Sequence, residues 1–129
     1  MAVSPTPNRL LVVDDDADTR DALRTLLELE GYHVDTAENG QAGLQRLQLD
    51  SSACVILLDL SMPVMDGVQF RLEQLADPHL AHIPVVVCSG IPPEGGKVGQ
   101  LKAVAYLRKP IEIDVLLSTI RALAEPQRL

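Results

Sequence analysis

Apolar residues in this chain fall into five short runs, most of them followed by a stretch in which they recur every three or four positions. Leu10 to Val13 is the first run, of strand length, and it ends in Asp14, Asp15 and Asp16. Leu23, Leu26, Leu27 and Glu30 then keep helical spacing, with Asp16 or Asp18 near the start and Gly31 just past the end. Tyr32 to Ala37 alternate as a second strand, and Asn39 caps a short helix carrying Ala42, Leu44 and Leu47 that Asp50-Ser51-Ser52 breaks. Val55 to Leu58 are four consecutive aliphatics, the pattern of a strand buried on both faces. Asp59 emerges at its carboxyl end. Pro63 and Asp66-Gly67 then force a loop, Val68 to Ala76 reads as a third helix closed by Pro78, and Ile83 to Cys88 as a fourth strand ending in Ser89-Gly90.

From Ile91 to Gly99 prolines and glycines disfavour a long helix, leaving room for a short one near Val98 to Ala103. Val104 to Arg108 makes a fifth strand, followed by Lys109-Pro110, and Ile113, Leu116, Leu117, Ile120 and Leu123 mark a final helix. Strands alternating with helices in this way predict an α/β fold: one doubly wound, five-stranded parallel sheet with five helices on its two faces. A single domain is expected over residues 8–124, with short tails at 1–7 and 125–129. In such a sheet the strands end on one edge, where ligands are held, so Asp14, Asp15, Asp59, Ser89 and Lys109 should converge there.

Composition narrows the partners. A formal charge of −7 and the lack of a basic stripe argue against a nucleic-acid surface and favour a cation site. No apolar run approaches membrane-spanning length and the N-terminus lacks a signal-peptide layout, so a cytoplasmic location with no membrane contact is expected. Aromatics are limited to Tyr32, Phe70 and Tyr106, which makes the core aliphatic. Cys54 and Cys88 lie inside apolar runs without metal or redox spacing and read as small hydrophobes. His79 and His82 flank a loop and have no third partner, so they are not read as metal ligands.

Chemistry follows from the clustering. Carboxylates a few ångströms apart repel by roughly 4 kcal/mol per pair at an effective dielectric of about 20, so the cluster needs a cation. Oxygen donors at a wet edge favour Mg²⁺. A carboxylate beside a metal, a hydroxyl and an ammonium is equipped for phosphoryl transfer, with Asp59 as the attacking group that becomes an aspartyl phosphate.

Four pieces carry a resemblance: Leu11-Val12-Val13-Asp14-Asp15-Asp16, Leu57-Leu58-Asp59-Leu60-Ser61-Met62-Pro63-Val64-Met65-Asp66-Gly67, Ser89-Gly90 and Tyr106-Leu107-Arg108-Lys109-Pro110. In this order and spacing they resemble the receiver domains of two-component response regulators, of the single-domain chemotaxis type, across Asn8 to Ala124. The resemblance implies a flavodoxin-like sheet of order 2-1-3-4-5 and a phosphoacceptor in signal transduction. At most it would show Mg²⁺-dependent self-phosphorylation and self-dephosphorylation, and no enzyme activity beyond that. By the same resemblance Asp59 takes a phosphoryl group from a sensor histidine kinase or a histidine phosphotransfer protein. Asp14, Asp15, Asp59 and the Ser61 carbonyl hold Mg²⁺, Ser89 binds a phosphoryl oxygen, Lys109 pairs with its charge, and Tyr106 swings inward on activation. A downstream protein partner is expected on the fourth helix, fifth strand and fifth helix, with a homodimer left open. The Lys109–Pro110 bond is expected to be cis, because the loop must turn sharply to aim Lys109 inward.

The chain departs from the family between Ser89 and Lys109, where it is a residue or two shorter and richer in Gly and Pro. With no DNA-binding or catalytic segment after Leu129, it reads as a stand-alone receiver or a piece of a longer chain. Two rival readings fit the residues less well. A haloacid-dehalogenase-type hydrolase wants a second acid two residues after the nucleophile, where Ser61 stands. A vestigial, interaction-only receiver would have lost Asp15, Asp59 or Lys109, and all three are present.

Overall fold

The continuous aliphatic runs become the middle of the sheet. β1 (Arg9–Val13), β3 (Val55–Leu58) and β4 (Val85–Ser89) are buried at nearly every position, while β2 (His33–Ala37) and β5 (Ala105–Arg108) are only partly covered, being the edge strands. In the computed structural model, which describes residues 8–90 and 101–124, all pairings are parallel and the order is β2-β1-β3-β4-β5. This is the flavodoxin-like arrangement that the resemblance implied.

Four helices stand among the described residues: α1 (Ala17–Leu29), α2 (Gly40–Leu49), α3 (Gly67–Ala76) and α4 (Ile113–Arg121). Five were expected; the one placed near Val98 to Ala103 falls largely outside the described residues. Period-two alternation splits each central strand between two cores. Leu10, Val12, Val55, Leu57, Val86 and Cys88 meet Leu23 and Leu27 of α1 and Leu116, Leu117 and Ile120 of α4. Leu11, Val13, Ile56, Leu58, Val85 and Val87 meet Leu47 of α2 and Phe70 of α3 on the other face.

Local signals fix the helix ends. The Asp16 carboxylate accepts from the Asp18 N–H at 3.2 Å and the Thr19 hydroxyl at 2.7 Å, and the Asn39 side chain accepts from the Ala42 N–H at 2.8 Å. Asp66 does the same for Gln69 at 2.9 Å, which starts α3 at Gly67, one residue before the expected Val68. Gly31 takes φ 94° after α1, with its N–H on the Glu28 carbonyl at 3.1 Å and that of Tyr32 on Leu27 at 3.0 Å. Tyr32 is thereby committed to the helix end, and the second strand starts at His33. The fourth strand begins at Val85 and not Ile83, because Pro84 has no N–H to give the ladder.

Candidate functional site

The ladder does not stop where the strands end. The Asp14 N–H donates to the Ala37 carbonyl at 3.1 Å, that of Asp59 to Val13 at 2.9 Å, and that of Lys109 to Ser89 at 2.9 Å. The residue after β1, β3 and β5 is thus pinned to its neighbour, and three charged side chains are delivered to one edge.

They meet there. Lys109 Nζ lies 2.7 Å from Asp14 Oδ2 and 3.6 Å from Asp59 Oδ2. Asp14 and Asp59 are only 2% and 6% exposed, and Asp15 is open to solvent. The other oxygen of Asp14 accepts from the Asp16 N–H at 2.9 Å, and Asp59 Oδ1 accepts from the Ser61 N–H at 3.3 Å. Burial pushes the Asp59 carboxyl above its usual range; Lys109 opposes this, and the neighbouring Asp14 adds to it. Burial pulls the Lys109 ammonium down, but the hydrogen bond and charge of Asp14, with the charge of Asp59, outweigh it and leave the group raised.

Carboxylate oxygens of Asp14, Asp15 and Asp59 all lie within 4.8 Å of one another. Three carboxylates therefore face one ammonium, and the donors are all oxygen. That donor set fits a hard cation such as Mg²⁺ and offers nothing to a soft metal. Cys88 is buried in β4, and burial pushes its thiol up to about 12, which disfavours the thiolate.

The loop after Asp59 is held tightly against it. A Cβ on Gly67 would stand 2.3 Å from the Asp59 carbonyl oxygen and 2.7 Å from Leu60 Cα, so only glycine fits. The Gly67 N–H donates to the Leu60 carbonyl at 3.0 Å, and the Gly40 N–H ties α2 to Met65 at 3.1 Å. Between them Val64 takes φ 69° in a three-residue turn closed by a 2.7 Å bond from the Met65 N–H to the Pro63 carbonyl.

The remaining expected residues are placed as follows. Ser61 is exposed at the head of that loop. Ser89 is buried at the end of β4, two residues past Val87, which pairs with Leu58. The Lys109–Pro110 bond is cis. Tyr106, on β5, is 38% exposed. His79 and His82 are exposed and join no metal-ligand cluster among the described residues. Two arginines were not foreseen. Arg20 of α1 donates to the Asp14 backbone carbonyl at 2.7 Å, and Arg71 lies buried in α3. A basic residue six places after Asp14 and on the same helix turn as Thr19 was the only trace of the first in the sequence.

A β2-β1-β3-β4-β5 sheet with acids after β1 and β3 and a lysine after β5 defines a class. The response regulator receiver domain family matches residues 10–121, and the chain belongs to it. Among known proteins it is 36% identical over 121 residues to the response regulator MprA of Mycolicibacterium vanbaalenii, covering 91% of this chain and 50% of that protein. It is 34% identical to protein PilH of Pseudomonas aeruginosa, covering 88% of this chain and 95% of that one. The chain spans about half the length of most of the curated relatives it matches first, MprA among them. Of solved structures, a response regulator receiver protein from Pseudomonas putida superposes with TM-score 0.83 at 27% identity, covering 95% of this chain and 99% of that one. The chemotaxis protein CheY4 of Vibrio cholerae gives 0.82 at 26%, covering 92% and 99%.

Proposed function

We propose that this receiver domain accepts a phosphoryl group on Asp59 from a phosphohistidine of a sensor histidine kinase or a histidine phosphotransfer protein. The observation that carries the reading is the placing of the Asp59 carboxylate, 3.6 Å from Lys109 Nζ and within 4.8 Å of the Asp14 and Asp15 oxygens. Asp14, Asp15, Asp59 and the Ser61 carbonyl would hold Mg²⁺, which when bound supplies positive charge against the phosphoryl oxygens. An Asp59 oxygen forms the new bond to phosphorus as the bond to the histidine nitrogen breaks. Lys109 stands ready to pair with the charge brought in, exchanging part of its contact with Asp14 for the phosphoryl group. Ser89 gives a hydroxyl to a phosphoryl oxygen, and Tyr106 follows it inward.

The same reading assigns the output to the exposed apolar residues of β5 and α4, with Val104 just before β5. Val104, Tyr106, Ile113 and Val115 are all open to solvent, an apolar set that suits a protein partner. The test is chemical. With Mg²⁺ and a small phosphodonor, intact-mass spectrometry should show one added phosphoryl group, and Asp59→Asn should remove it. Full modification of the Asn variant would place the acceptor elsewhere; no modification of the parent by donor or kinase would favour an interaction-only receiver.

A further inference from the structure

α3 turns two polar side chains inward. Arg71 is 4% exposed and Gln74 0%, on a helix whose other buried residues are Gly67 and Phe70. Arginine is seldom buried without a carboxylate, since an unpaired buried charge is costly. Here no carboxylate among the described residues pairs with it; the partners are carbonyls. Arg71 Nε donates to the Leu101 carbonyl at 2.7 Å and Nη2 to that of Lys102 at 3.1 Å, while Nη1 meets Gln74 Oε1 at 2.7 Å and the Ile83 carbonyl at 3.4 Å. The Gln74 amide in turn donates to Leu80 at 2.9 Å and Ile83 at 3.0 Å.

One guanidinium thus joins three segments. Leu80 and Ile83 lead into β4; Leu101 and Lys102 lead into β5, and Lys102 takes a left-handed φ of 48°, which few non-glycine residues adopt without support. At its other end α3 is docked on the acceptor loop through Gly67 and Leu60. Hydrogen bonds thus connect the loop after Asp59, through α3 and the Arg71 side chain, to the residues that lead into β5, which carries Tyr106 and is followed by Lys109. The planar fork is what makes the junction, since it aims donors at several carbonyls at once.

We propose that Arg71 is a positioning residue: a buried latch that fixes where β5 stands against α3 and so sets the reach of Lys109 to Asp59. Its bearing on phosphoryl chemistry rests on the function proposed above; the latch itself does not. With Arg71→Met the Leu101 and Lys102 carbonyls lose their donors and must turn toward water, taking the start of β5 with them.

Amide hydrogen exchange on the unmodified protein tests the latch. The Val104 N–H on Val85 at 3.0 Å and the Lys109 N–H on Ser89 at 2.9 Å bracket β5, while the Asp14 amide on β2 and the Asp59 amide on β1 report on the part of the sheet away from β5. Arg71→Met should speed exchange at Val104 and Lys109 at least tenfold more than at Asp14 and Asp59. Arg71→Lys, with donors on a flexible stem, should show the same pattern more weakly, and it serves alone if the Met variant does not fold. Equal acceleration at all four amides would mean a general loss of stability and overturn the latch. The positioning role is read from titration with beryllofluoride and Mg²⁺: the Met variant should bind the phosphoryl mimic three- to tenfold more weakly, with part of the loss restored in the Lys variant. Unchanged affinity would overturn that role. If the parent itself fails to bind the mimic, the phosphoacceptor reading falls and the exchange comparison still decides the latch.

Discussion

Removing the charge of Asp59 should make this protein more stable when no metal is present. Asp59 and Asp14 have oxygens within 4.8 Å, a repulsion of at least about 3.5 kcal/mol at an effective dielectric of about 20. Lys109 at 3.6 Å returns about 4.6 kcal/mol on the same scale, so these two pairs nearly cancel. What is left is one-sided. Asp15 adds further repulsion, and holding a carboxylate in a nearly buried position costs more again. The raised Asp59 carboxyl has the same origin, burial first and Asp14 with it. Asn keeps the shape and can still accept from the Ser61 N–H. Lys109 keeps its 2.7 Å contact with Asp14. We expect Asp59→Asn to stabilise the metal-free protein by about 1–3 kcal/mol at pH 7, a rise of about 0.5–1.5 M in urea midpoint.

Far-UV circular dichroism is the assay, since the chain has no tryptophan. The pH dependence carries a sign. A carboxyl raised in the folded state binds its proton more tightly there, so the parent loses stability as pH climbs from the unfolded value of about 4 through the folded pKa. The advantage of the Asn variant should therefore open across that interval, hold above it, and close toward pH 4. Added Mg²⁺ should stabilise the parent by about 1.4 kcal/mol per tenfold once it exceeds its dissociation constant, and the variant only at higher concentrations. A metal-free Asn variant less stable than its parent at pH 7 would refute this account of the site's charge.

Two further outcomes follow from the loop after Asp59. Gly67→Ala should cost several kcal/mol and depress phosphorylation of Asp59 well beyond the unfolded fraction, because its Cβ would meet the Asp59 carbonyl oxygen at 2.3 Å; normal stability by urea melt would contradict the packing. Val64→Asn should raise stability by about 1 kcal/mol, since Val64 is 79% exposed at φ 69°, a positive φ that strains a β-branched residue more than asparagine; an unchanged or lower midpoint would count against that strain.

The meeting of Asp14, Asp59 and Lys109 was legible because each directly follows a strand, and parallel strands have no choice but to end together. Asp14 and Asp59 sit one residue past β1 and β3, Lys109 one past β5, and the ladder extends to hold them. Caps were legible too, at Asp16, Asn39 and Gly31, because those residues satisfy backbone groups within a few positions of themselves. Arg20 and Arg71 were not, and for a common reason. Both bind backbone carbonyls, which every residue carries, so nothing in the side chains of their targets announces them. Arg71 also breaks the polar-out pattern of α3 with no charged partner among the described residues to match to it.

The charge imbalance left at the sheet edge gives the fold its leverage over a ligand. A core built only for stability would have paired Asp14 with Lys109 and replaced Asp59 by an apolar or neutral residue. Instead the fold keeps a second nearly buried carboxylate 3.6 Å from an ammonium already engaged at 2.7 Å, and a third acid within reach. A bound group shifts a conformational equilibrium only by the difference in its interaction with the two states. A site left with excess negative charge and one shared cation offers a large difference to anything that alters the count, whether a divalent cation added or a phosphoryl group drawing Lys109 from Asp14. Lys109 directly follows β5, so whatever draws it bears on the strand that carries Tyr106 and begins three residues after Lys102, where Arg71 holds on.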